Sequence, residues 1–140
     1  MNHLVFLDAQ ACELEKILSG VKTMLVREFD PSITPAHPVL AGDSLYFLRS
    51  RNESTLRVKA TVMRVLPITT NMDEGISLNL KEMQSKLQLT ESQFNIWSRM
   101  KQVLLVEFAA AQKIPAIMVP PEKLNEPSPW IAFEELSLIT

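Results

Sequence analysis

The segment ILSGVKTMLVRE, residues 17–28, places two cations and a hydroxyl within six residues, Lys22, Thr23 and Arg27. A lysine can hold a phosphate or carbonyl oxygen as a point charge, and it can act as a base where burial lowers its pKa. An arginine offers a planar fork that suits phosphate or carboxylate. The segment therefore has the groups needed to bind a polar ligand.

Each of these residues also has a structural explanation. Lys22 closely follows a glycine and fits a surface lysine beside a turn. Thr23 is typical of a strand residue whose hydroxyl finds a partner within the protein. Arg27 suits an ion pair with one of three carboxylates, Glu28, Asp43 or Glu107. The sequence is therefore compatible with both a ligand-binding role and a structural role for this segment.

The composition is that of one globular domain. A chain of 140 residues with 46% apolar and 21% charged residues is long enough to bury one core. The formal net charge of −2 argues against a protein that coats nucleic acid by electrostatics alone. A single cysteine, Cys12, excludes an internal disulfide framework and fits a reducing compartment. Because there is neither a long apolar run nor a signal peptide at 1–8, we expect a cytoplasmic protein with no membrane partner.

The elements that must position the segment can be predicted from hydrophobic spacing. A short apolar run, His3–Asp8, predicts a strand. Apolar residues at helical spacing across 11–18 predict a helix whose charged residues, Glu13 among them, lie on the opposite side. Gly20 is placed to end that helix. Val21–Arg27 predicts the next strand, which would carry all three polar side chains.

The remaining elements alternate between strands and helices. Strands are predicted at Leu45–Leu48, Thr55–Ile68, Gln102–Phe108 and Ile114–Val119, and helices at Ser77–Leu87 and from Thr90, where Gln93 completes a capping box. This order predicts an α+β fold: a curled, mostly antiparallel β-barrel with flanking helices, in a single domain spanning 1–140.

Aromatic and basic residues elsewhere are candidates for contacts to a nucleic acid. Stacking of a base on an aromatic ring contributes about 1–3 kcal/mol, and the candidates are Tyr46, Trp97 and Trp130. Trp97 is more typical of a helix core, and Trp130 equally suits a barrel end or a dimer contact. Arg49 and Lys101 are cationic candidates, with a solvated surface as the alternative.

Other chemistries lack their sequence patterns. His3 and His37 lie far apart without a cysteine or carboxylate pattern around them, so no metal site is expected. The chain has three glycines, too few for a glycine-rich phosphate loop, and no cofactor is expected.

Three segments, ILSGVKTMLVR, AGDSLYFL and RVKATVMRVLPI, followed by a helical insert and VLLVEF, together resemble the ASCH domain, a relative of the PUA RNA-binding fold. The most specific element is G-x-K-T-x-x-x-R with a later Gly-Asp pair, formed by Gly20, Lys22, Thr23, Arg27, Gly42 and Asp43. The resemblance covers about Leu4–Phe108 and leaves 109–140 as a C-terminal extension. It implies a PUA-like barrel whose cleft, beside the G-x-K-T strand, binds RNA or a modified nucleoside.

Some ASCH proteins are amidohydrolases that remove the acetyl group of N4-acetylcytidine, and the resemblance implies where their catalytic groups would fall. Lys22 matches their lysine, but the position of their threonine is Leu25, which has no hydroxyl to act as a nucleophile. Their glutamate aligns with Ser85, one turn from Glu82. This departure favours a binding protein over an enzyme.

Three hypotheses follow from different classes. The first is a binding module for RNA or a modified nucleoside, with Lys22, Thr23 and Arg27 in its cleft. The second is an amidohydrolase of an acylated nucleoside that uses Lys22, and Glu82 as a further candidate. The third is a regulatory interaction domain with a vestigial cleft, in which the proline-rich tail mediates association, for example as a homodimer.

Overall fold

The computed structural model describes residues 1–28, 38–50, 55–70, 76–120, 122 and 130–133. Within these residues the chain forms six strands and three helices in the order β1 (Asn2–Phe6), α1 (Glu13–Leu18), β2 (Met24–Glu28), β3 (Ser44–Leu48), β4 (Thr55–Thr69), α2 (Ser77–Leu87), α3 (Glu91–Trp97), β5 (Gln102–Met118) and β6 (Trp130–Phe133). None of the described helices is long and apolar enough to cross a bilayer.

The six strands form one mixed sheet in the order β2-β5-β4-β3-β1-β6. β1 pairs with β3 in parallel, and the other neighbours are antiparallel. The sheet curls into a half-barrel, so that Arg27 on β2 donates to the carbonyl of Phe6 on β1 at 3.1 Å although three strands separate β2 from β1 in the sheet. The predicted α+β fold with a curled, mostly antiparallel sheet is confirmed.

The long antiparallel pair of β4 and β5 forms the centre of the sheet. The predicted strands Gln102–Phe108 and Ile114–Val119 are wrong as separate elements, because β5 continues through the alanine-rich segment between them. The register with β4 shifts at three places, and Ala110, at φ 57°, takes up one extra residue in a bulge. Pro115 also lies in a shifted stretch, where its missing N–H breaks no ladder bond.

The turn after α1 determines where β2 begins. Gly20 has φ +84°, its N–H donates to the carbonyl of Ile17, and the N–H of Val21 donates to that of Lys16. These two bonds form a Schellman motif, so the predicted helix end at Gly20 is confirmed. The predicted start of the strand at Val21 is wrong, because the N–H of Lys22 also donates to Lys16 instead of to a strand partner.

Hydrophobic residues are buried on both faces of the sheet. On one face Leu25 packs with the apolar side of α1. On the other face Met24 and Val26 pack against α2 and α3. Because Met24 and Leu25 are both fully buried, β2 is covered on both sides and holds the segment before it firmly in place.

Candidate functional site

A cavity of about 250 Å³ lies between the end of α1, the connection from α1 to β2, and the bulge of β5. Its lining combines apolar and polar residues: Ile17, Leu18, Phe108 and Ala109–Ala111 are apolar, Ser19, Lys22 and Thr23 are polar, and Gly20 lies at the turn after α1. The structure therefore brings Lys22 and Thr23 of the predicted cleft into one cavity.

Local backbone geometry creates this space. The Schellman turn redirects the chain at Gly20, so the connection runs along one side of the cavity instead of into the sheet. Three consecutive alanines in β5 leave room opposite, and Ala110 adopts the left-handed conformation that costs an L residue about 1–2 kcal/mol. Strained positions of this kind cluster at binding sites.

Lys22 is the buried charged residue of the cavity. Only 1% of it is exposed, which contradicts the alternative of a surface lysine. Its Nζ donates to the carbonyl of Leu87 and lies 3.4 Å from Oε2 of Glu13. Burial lowers its pKa from 10.5 to about 8; Glu13 opposes that effect, while Arg27 and Lys16 add to it. The amine is therefore poised near neutral pH.

Glu13 is the site residue that the sequence reasoning missed. Its polar position on α1 predicted a solvated carboxylate, but it is 5% exposed. Oε1 accepts a hydrogen bond from the N–H of Asp8 at 2.7 Å, and Oε2 faces Lys22. Because α1 has six residues, its periodicity is too short to separate a buried side from an exposed one.

The C-terminus of α2 is fastened to the cavity wall by three hydrogen bonds. Lys22 donates to Leu87, Lys16 Nζ donates to the carbonyl of Gln88 at 3.0 Å, and the N–H of Thr23 donates to the carbonyl of Lys86 at 2.9 Å. Cations near the last carbonyls of a helix also interact favourably with its dipole. These bonds connect the end of α2 to α1 and to the segment between α1 and β2.

Solved structures with the same architecture come from Zymomonas mobilis. The crystal structure of ASCH from that organism superposes with a TM-score of 0.67 at 14% identity, covering 99% of this chain and 96% of the other. Two mutants of the same protein give TM-scores of 0.68 and 0.67, each at 14% identity and 99% coverage of this chain, and cover 96% and 99% of the other chain.

The chain has the ASCH fold. No family model and no curated protein matches the sequence. At 14% identity, the likeness to the ASCH proteins is one of fold.

Arg27, the arginine of the ASCH-like motif, is absent from the cavity lining. Its guanidinium donates to the carbonyls of Val26 at 2.7 Å and Phe6 at 3.1 Å, and its buried Nε has no hydrogen-bond partner. Burial lowers the pKa of Arg27. In the described part of the chain, two of the expected carboxylate partners bind other groups: Asp43 pairs with His3 at 2.8 Å, and Glu107 with Lys86 and Arg64.

The other charged candidates lie apart from the cavity of this ASCH fold. Arg49 forms an exposed ion pair with Glu15 at 2.9 Å. Lys101 is exposed just before β5, and Glu82 is exposed on α2. The carboxylate that approaches Lys22 is therefore Glu13, from a helix that precedes the motif.

Among the stacking candidates, Tyr46 and Trp97 are packed into the protein. Tyr46 is 6% exposed, its ring lies 5.8 Å from that of Phe133, and the ammonium of Lys59 lies 5.5 Å from its centroid, so it offers no free face to a base. Trp97 packs against the hydrophobic cluster between α3 and the sheet. Trp130 begins β6, and its side chain lies outside the described part of the structure.

The described residues bring together no group of three His, Cys, Asp or Glu side chains that could hold a metal ion.

Proposed function

We propose that this protein is a binding module for RNA or for a modified nucleoside, and that one base or nucleoside occupies the cavity beside Lys22 and Thr23. The observation that carries the proposal is the cavity itself, whose lining combines apolar residues with a buried lysine. The ASCH fold agrees with this assignment, because the related PUA fold binds RNA.

The size and lining of the cavity favour a small, flat, partly polar ligand. About 250 Å³ is below the roughly 300–1,000 Å³ of pockets that hold drug-sized molecules, which suits a single nucleoside. The apolar residues of the lining can pack against a base. Leu87 and Glu13 engage two of the three N–H bonds of the Lys22 ammonium, which leaves one to donate to a carbonyl or phosphate oxygen.

Calorimetric titration with cytidine, N4-acetylcytidine and a short single-stranded RNA tests this proposal. We expect saturable binding of at least one of the three, weakened about tenfold or more by Lys22→Met, which keeps most of the side-chain volume. Lys81→Met, on the exposed surface of α2, is the control for a general loss of positive charge. Equal affinities of both variants, or no binding of any probe, would contradict the proposal.

A second candidate function, hydrolysis of an acylated nucleoside, is favoured by the state of Lys22. With a pKa of about 8, the minor fraction of the Lys22 amine that is neutral at pH 7 can accept a proton from water, and Thr23 lines the same cavity. Leu25 is fully buried in the core and cannot take part. In this reaction water adds to the amide carbonyl, and the C–N bond breaks to give acetate and cytidine.

Chromatography of cytidine released from N4-acetylcytidine distinguishes the two functions. Turnover by the wild type that is lost in Lys22→Met supports the hydrolase. Binding without release supports the module.

A further inference from the structure

Glu13 is held between the backbone and Lys22. Oε1 accepts the N–H of Asp8 at 2.7 Å, and Oε2 lies 3.4 Å from Nζ of Lys22. Both residues are almost completely buried, Glu13 at 5% and Lys22 at 1% exposure. The backbone bond fixes the rotation of the carboxylate, so the second oxygen is directed at the amine.

The groups around Lys22 make the charge of its amine depend on the Glu13 carboxylate. Lys16 on α1 and Arg27 on β2 both disfavour its positive charge, and α2 contributes the carbonyl of Leu87. Among the described groups that act on the amine, Glu13 is the one that carries a negative charge. A buried ammonium facing two cations keeps its proton only where an anion is close.

We propose that Glu13 is the positioning residue of the cavity, which keeps the Lys22 amine charged and directed at the position where a ligand would bind. The inference rests on the proposed function, since positioning matters only if the cavity holds a ligand. Glu13 itself is absent from the cavity lining, so it acts through Lys22 and needs no contact with the ligand.

Titration of the Lys22 amine by NMR, in protein labelled with ¹³C at the lysine side chains and without ligand, tests the coupling directly. Glu13→Gln keeps an oxygen for the N–H of Asp8 but removes the charge. We expect it to lower the titration midpoint of Lys22 by about 1–3 pH units. Glu15→Gln, two positions along α1 and paired with exposed Arg49, is the matched control and should leave the midpoint unchanged.

A second measurement needs no substitution and remains informative if Glu13→Gln fails to fold. In the wild type, the carboxylate carbon of Glu13 should show an inflection at the midpoint of Lys22, while that of Glu15 should not. An unchanged midpoint in a folded Glu13→Gln variant, or no shared inflection in the wild type, would overturn the inference.

Titration of the same variants with cytidine separates this inference from the proposed function. A shifted Lys22 midpoint with no cytidine or RNA binding by the wild type would contradict the binding module and leave Glu13 without a ligand to position, which would also overturn its role. A shifted midpoint with binding whose pH profile moves in Glu13→Gln supports both. Binding with an unmoved midpoint supports the module and overturns the role of Glu13.

Discussion

Lys22 combines two demands in one side chain, since it caps the C-terminus of α2 and lines the cavity. A buried ammonium carries a desolvation cost that an exposed lysine avoids, and this cost explains why its pKa falls to about 8. The bonds to Leu87 and Glu13 offset part of it. Stability and ligand binding at this residue are therefore both expected to depend on pH.

Wild-type stability should rise with pH through the Lys22 titration. The pKa of Lys22 is about 8 in the folded protein and 10.5 when exposed, so the unfolded state binds more protons between these values. The free energy of unfolding from this group then increases as pH rises from 8 to 10.5, by about 3 kcal/mol over the full window. Below pH 8 this contribution is absent.

Urea denaturation of the wild type and Lys22→Met across this pH range measures the effect. We expect the free energy of unfolding of the wild type to increase relative to that of Lys22→Met as pH rises. A difference between the two proteins that stays constant from pH 7.5 to 10 would show that the amine titrates as an exposed lysine does.

The bulge of β5 shapes the cavity and stores backbone strain. Ala110 is exposed at φ 57°, a conformation that glycine adopts without penalty. Ala110→Gly should raise the free energy of unfolding by up to about 1 kcal/mol. Ala109→Gly should lower it by about 0.5–1 kcal/mol, because Ala109 pairs with Thr61 and does not adopt the left-handed conformation. Thermal unfolding of both variants measures these changes. Equal destabilisation by the two substitutions would contradict strain at Ala110.

The elements could be predicted from the sequence where the signal is local. The helix end at Gly20, the alternating strand that became β4 and the capping box of Thr90 and Gln93 all depend on neighbouring residues, and the structure has each of them. The sequence could not reveal the partner of Lys22, because Leu87 lies 65 residues away. Burial of Glu13 escaped prediction because it too depends on a tertiary contact.

Arg27 joins two strands that are distant in the sheet order. Its bond to the carbonyl of Phe6 links β2 to β1 across the open side of the half-barrel. Arg27 of the ASCH-like motif thus has a structural role in the fold. Its contribution to a ligand site remains a prediction.

Removal of this link should destabilise the protein more than removal of a surface charge. Arg27→Met removes the charged hydrogen bond to the carbonyl of Phe6, and we expect the free energy of unfolding to fall by about 1–3 kcal/mol. Arg49→Met breaks an exposed ion pair with Glu15 and should cost about 0.5 kcal/mol or less. Urea denaturation compares the two, and similar losses would contradict the closing role of Arg27.

The proposed function depends on the binding of one base or nucleoside in the cavity between α1 and the β5 bulge. The most direct measurement is a ¹H–¹⁵N NMR titration of the wild type with cytidine and with a short single-stranded RNA. We predict saturable shifts at the amides of Gly20, Thr23 and Ala109–Ala111, which line the cavity. No shifts with either probe, or shifts confined to amides away from these residues, would contradict binding in this cavity.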